Sequence, residues 1–143
     1  MTRTILLLIT LSGLFAVMQA QTKSFLYTGT VDGKMQVTLY LQEEENGCGG
    51  DPFYNGIYRY DKASTWLQLS ISKNDKNQYA MVEDGFTGLM IVRKEGTDLK
   101  GLWISPDGKR QLPVILKEQV ISPEQAESYK DTLEKINYEN HDC

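Results

Sequence analysis

Between Ser24 and Lys117 apolar and polar residues alternate in short runs. Each run is closed by turn residues after about 8 to 12 positions, a rhythm satisfied by an extended backbone whose side chains point in turn to two faces. This confines the region to antiparallel sheet. In the stretch 34–42, Met35, Val37, Leu39 and Leu41 share one face, while Gln36, Thr38, Tyr40 and Gln42 share the other. Eight such stretches occur, at 24–31, 34–42, 53–60, 65–72, 77–83, 85–92, 98–105 and 110–117.

Asp32-Gly33 suits a two-residue hairpin whose central residues need positive φ, and Asp84-Gly85, Lys94 to Thr97 and Ser105 to Lys109 are further turn signals. Every connection except 43–52 is short, so consecutive strands should pair. The expected fold is all-β, an eight-stranded antiparallel meander curling into a small barrel. Pro113 donates no ladder hydrogen bond, which predicts an edge or bulge in the last strand and leaves room for incomplete closure. A different pattern begins at Ser122, an N-cap followed by Pro123 and by Gln125 at the capping-box position. It predicts one C-terminal helix over 123–137, with a narrow apolar stripe of Ala126, Tyr129, Leu133 and Ile136.

The N-terminus has the layout of a secretory signal peptide over residues 1–20: Arg3, an apolar run from Ile5 to Met18, and Ala20 before the expected cut. The run is too short to span a bilayer, which takes about 20 apolar residues. The expected product is a single soluble domain over 21–143, periplasmic or secreted, with no membrane insertion once the signal is removed. In that compartment Cys48 and Cys143 are expected to pair, stapling the tail to the loop after the second strand. Intermolecular pairing and free thiols are the alternatives. A net charge of −4 without a basic cluster argues against nucleic acid as a partner.

Catalytic signatures are missing from this sequence. The lone histidine, His141, lies in the tail, no nucleophile elbow is present, and Glu83 and Asp84 at a strand end should point apart. The stretch from Glu43 to Asp51 is rich in carboxylates but matches no metal-binding loop, so neither metal nor cofactor is expected.

The remaining signal is aromatic. Tyr54, Gly56, Tyr58 and Tyr60 share one strand face, and Gly101 and Trp103 share another. If both look into the barrel, Tyr54, Tyr58, Tyr60 and Trp103 line a pocket for a small apolar or sugar-like ligand, with Gly56 leaving space for it. The same rings serve equally well as barrel filling. Two binding roles stay open: a non-enzymatic protein holding a small ligand, and an inhibitor- or immunity-type protein gripping a partner through the Glu43–Pro52 loop.

The motifs Gly-Ile-Tyr-Arg-Tyr (56–60), Met-Val-Glu-Asp-Gly-Phe-Thr-Gly (81–88), Gly-Leu-Trp (101–103) and Pro-Val-Ile-Leu (113–116) resemble a loose family of small exported bacterial proteins. The resemblance covers roughly Phe53 to Leu116 and implies a β-barrel with no assigned activity. The strand count is similar to that of avidin and lipocalin barrels, but the polar residues that give those families biotin or lipid specificity find no match here.

Overall fold

A computed structural model describes residues 22–141. The expected signal peptide and Cys143 lie outside the described residues, and with Cys143 the expected disulfide. Cys48 is exposed in the 45–52 loop.

The strands are β1 (Thr22–Val31), β2 (Met35–Glu44), β3 (Phe53–Tyr60), β4 (Leu67–Lys73), β5 (Gln78–Glu83), β6 (Leu89–Glu95), β7 (Asp98–Ile104) and β8 (Gln111–Gln119), followed by helix α1 (Pro123–His141). Each strand pairs antiparallel with the next, and β1 pairs with β8, so the meander closes on itself. Closure corrects the expectation of a gap at Pro113. The β1–β8 register begins one residue later, at Val31↔Val114, so the proline sits where that ladder ends. Its carbonyl still accepts the Asp32 N–H at 2.8 Å.

The interior is a packed core. Tyr27, Val37, Leu39, Leu41, Tyr58, Leu69, Met81, Met90, Leu99 and Leu116 are all buried within one cluster. Glycine makes that closure possible at Gly29 and Gly101, where a Cβ would run into the Ile115 and Ile91 carbonyls of the neighbouring strands.

A second cluster forms outside the barrel. Tyr40 and Ile57 point outward from β2 and β3 and are covered by Leu133, Tyr129 and Ile136 of α1. Tyr40 stacks on Tyr129 at 5.3 Å between ring centroids, and Trp66 meets the same ring edge-on. The helix starts as the capping box requires: Ser122 Oγ accepts the Gln125 N–H, and Gln125 Oε1 accepts the Ser122 N–H. It runs four residues beyond the expected end, because Gln68 on β4 bonds both Asn137 (2.8 Å) and Asn140 (2.9 Å) and holds the last turn.

The turns after β1, β3, β5 and β7 gather at one end of the barrel, and those after β2, β4 and β6 at the other. The first is called the Phe86 end, the second the Glu43 end.

Candidate functional site

All four aromatic residues singled out from sequence look inward, yet they do not make one site. Tyr54 lies at the Glu43 end, opposite Glu43 in the β2–β3 register and edge-on to Tyr79 at 5.7 Å. Tyr60 lies at the Phe86 end, six residues along the same strand, which is about 20 Å of extended chain. Leu39, Leu41, Met81 and Leu99 occupy the interior between them. The space expected beside Gly56 is filled: a Cβ there would meet Ile71 Cδ1 at 2.9 Å and the Tyr40 carbonyl oxygen at 3.0 Å.

At the Phe86 end the other three do converge, on a residue the aromatic pattern did not single out. Glu83, the last residue of β5, is buried with its carboxylate among donors from three separate parts of the chain. Trp103 Nε1 donates to Oε1 at 2.7 Å, Thr87 Oγ1 donates to Oε2 at 2.6 Å, and the Tyr58 hydroxyl donates to Oε1. A buried carboxylate is costly unless such donors replace its water, so these bonds lock strands β3, β5 and β7 to one another. The backbone completes the lock, with the Glu83 N–H donated to the Gly88 carbonyl at 3.0 Å. Gly88 is required by crowding, since a Cβ would stand 2.5 Å from both Glu83 Oε1 and Trp103 Nε1.

Around this knot the chemistry grades outward. Tyr60 packs edge-on against Tyr58 at 5.6 Å, and Arg110 lies over the Trp103 ring at 5.9 Å. Burial first, and then the bond to Glu83, pushes the Tyr58 phenol far above its ordinary 10.0. Burial likewise raises Tyr60. At the other end, burial and then Glu43 push Tyr54 up to about 12. The Tyr58 phenol is held neutral and acts as a donor to Glu83, the opposite of what a tyrosine base would need.

Outside the knot stands Phe86. Sequence alternation places it inside a strand over 85–92, but β6 begins only at Leu89, and Asp84–Phe86 form a single 3-10 turn instead. Gly85 and Phe86 both take positive φ, 71° and 53°. For glycine that is free; for a phenylalanine it is a strained conformation that its surroundings must impose. The ring is 55% exposed. Beside Tyr60 a shallow cleft of about 270 Å³ opens between Met35, Gln36, Asp61 and the lysines 34 and 62.

Sequence reasoning paired Glu83 with Asp84 only to set both aside, and the two do part, one buried and the other exposed. The signal that could have found Glu83 is its place at the end of an inward-alternating strand, directly before Asp-Gly-Phe-Thr-Gly. Tyr58, Glu83, Thr87, Gly88 and Trp103 make this knot, with Tyr60 packed on its Tyr58. The loop Glu43–Pro52 sits at the opposite end, its turn shaped by Asn46 Oδ1 accepting the Cys48 N–H at 3.1 Å. Among the described residues no cluster of histidine, cysteine and carboxylate side chains has a metal-holding arrangement. Comparison of the chain with protein-family models, with curated proteins and with solved structures finds no match.

Proposed function

We propose that this chain is an exported, non-enzymatic binding protein that recognises a partner protein with the Phe86 end of its barrel. The observation that carries the reading is Phe86 itself. A bulky aromatic is kept exposed and in left-handed backbone geometry, three residues after the carboxylate that ties Tyr58, Thr87 and Trp103 together. Strain persists where the surroundings over-determine it, and rigid exposed aromatics are the residues that dominate protein interfaces. Holding the ring in advance lowers the ordering cost of association.

A ligand touching Tyr54, Tyr58, Tyr60 and Trp103 together would have to displace Leu39, Leu41 and Met81. A small ligand is better accommodated in the cleft beside Tyr60. The same reading has residues 1–20 directing export and Cys48 pairing with Cys143.

A photo-reactive phenylalanine analogue placed at position 86, and separately at position 47 in the opposite loop, tests this in the producing cells. Adducts of one defined mass from position 86 alone are expected. Adducts from position 47 alone, or an unchanged partner yield from a Phe86→Asn variant captured by its tag, would overturn it.

A further inference from the structure

Among the described residues the barrel carries two apolar areas on its outer surface, of which one is covered. On β2 and β3 the outward Tyr40 and Ile57 are sealed by α1. On the other side a cross-strand row runs Ala80↔Ile91↔Leu102↔Pro113 through β5, β6, β7 and β8, each residue directly opposite the next. Ile115 lies beside it, opposite Lys100. Ile91 is 45% exposed, Leu102 39% and Ile115 47%. Shallow troughs of about 270 and 310 Å³ flank Ile91 on its two sides. Scattered exposed aliphatics need no explanation, but a registered row across four strands is a patch.

The border of the patch carries Arg93, Lys100 and Lys117, with Glu95 among them. Arg93 stands directly opposite Lys100 in the β6–β7 register, a like-charge pairing that costs stability on an exposed sheet. Lys117 lies further along the same border, on β8. Lys100 is paired with Glu95 at 3.1 Å, whereas among the described residues no carboxylate reaches Arg93 or Lys117.

From this juxtaposition we infer a second interaction surface, a docking face on β5–β8 for an amphipathic helix of a partner protein, with an apolar stripe flanked by carboxylates. The barrel already shows how such a face is covered, because α1 seals the equivalent area with Tyr129, Leu133 and Ile136 at helical spacing. Carboxylates on the incoming helix would relieve the Arg93–Lys100 repulsion and satisfy Lys117, an arrangement that favours encounter with acidic partners. An anionic lipid surface is the lesser fit. The chain as a whole is acidic at −4, and the aliphatic side chains lie on a pleated sheet face where no segment projects to enter a bilayer.

The probe is a synthetic helical peptide with leucine at i, i+3, i+4 and i+7 and glutamate on both flanks. Its controls are the same peptide with lysine flanks, phosphatidylglycerol vesicles, and sedimentation of the protein alone. The glutamate peptide is expected to bind the full-length protein with an affinity that falls as salt rises, and Leu102→Gln or Ile91→Gln should weaken it at least tenfold. Arg93→Gln should flatten the salt dependence. No variant should melt lower than the parent, Arg93→Gln should melt slightly higher as the like-charge pair is removed, and Phe86-dependent partner capture should be unchanged in all three, which separates this surface from the Phe86 end. Equal binding of the lysine peptide, full retention by Leu102→Gln, binding to vesicles without binding to peptide, or self-association abolished by Leu102→Gln would each overturn it.

Discussion

Trp103 Nε1 donates a 2.7 Å hydrogen bond to Glu83 Oε1, joining the penultimate residue of β7 to the last residue of β5 across the intervening β6. This bond is made where the barrel would otherwise fray. It ties an indole, read from sequence as pocket lining or barrel filling, to a carboxylate read as a strand-end residue without a catalytic role.

Glu83→Gln removes the charge and one acceptor oxygen, and its amide N–H₂ must then face a hydroxyl turned round to accept, since the Trp103 N–H cannot accept. Hydrogen bonds to a charged group are worth about 1.5–3 kcal/mol, and the substitution should destabilise the fold by that order. A urea titration checks it. The midpoint should fall while the slope stays near that of the parent, because the surface exposed on unfolding is the same.

Trp103→Phe keeps most of the ring and loses the N–H. The expected cost is about 1–2 kcal/mol, smaller than for Glu83→Gln because the carboxylate keeps its other donors. In the double variant the two losses should fall well short of additive, and a thermodynamic cycle on the four proteins reads the coupling directly.

Gly88→Ala is sterically severe for so small a change, since the added carbon would sit 2.5 Å from two fixed polar atoms. Overpacking of this kind costs about 1–3 kcal/mol. Gly33→Ala makes the useful contrast, because the space around that glycine is open and only its positive φ of 64° resists. Its loss should be near 1 kcal/mol. Thermal melts of the two variants side by side rank them.

Phe86→Asn separates stability from recognition. Asparagine tolerates left-handed geometry far better than phenylalanine, and the lost ring is largely exposed, so the melting temperature should hold or rise. Partner capture should drop sharply in the same variant. A large fall in melting temperature would instead show that the ring holds the fold together.

Alkaline pH should dismantle the barrel in a defined direction. In the unfolded chain the phenols release their protons near 10.0, whereas Tyr54, Tyr58 and Tyr60 keep theirs to higher pH when folded, chiefly because they are buried. The unfolded state therefore binds fewer protons above that point. Stability is intact below pH 10.0 and is lost as pH rises through the folded values, about 12 for Tyr54. The phenolate absorption band should appear in two parts, an early one while circular dichroism is native and a late one coincident with unfolding.

Much of the architecture was legible along the chain. Alternation grouped the residues that share a face on β2, β3 and β7, Asp32-Gly33 marked the first hairpin, and Ser122 with Gln125 marked the helix start. Other readings failed for identifiable reasons. Pro113 suggested a gap because its place relative to the end of the β1–β8 ladder depends on register, which no single strand encodes. Phe86 fitted the strand alternation but sits in a turn, because Thr87 and Gly88 are drawn onto Glu83. The helix outran its expected end because Gln68, remote in sequence, holds its final turn.

The amino-acid order alone determined that residues 24–117 would be paired strands, and which side chains would share a face, since period-two alternation is a property of each segment taken singly. Tertiary structure decided the rest: the closing of the sheet, the division of the tyrosine row between opposite mouths, and the meeting of Tyr58, Glu83, Thr87 and Trp103. Those outcomes depend on strand order and stagger around the barrel. A carboxylate becomes the centre of a site only when closure removes its water and brings donors from distant strands to replace it.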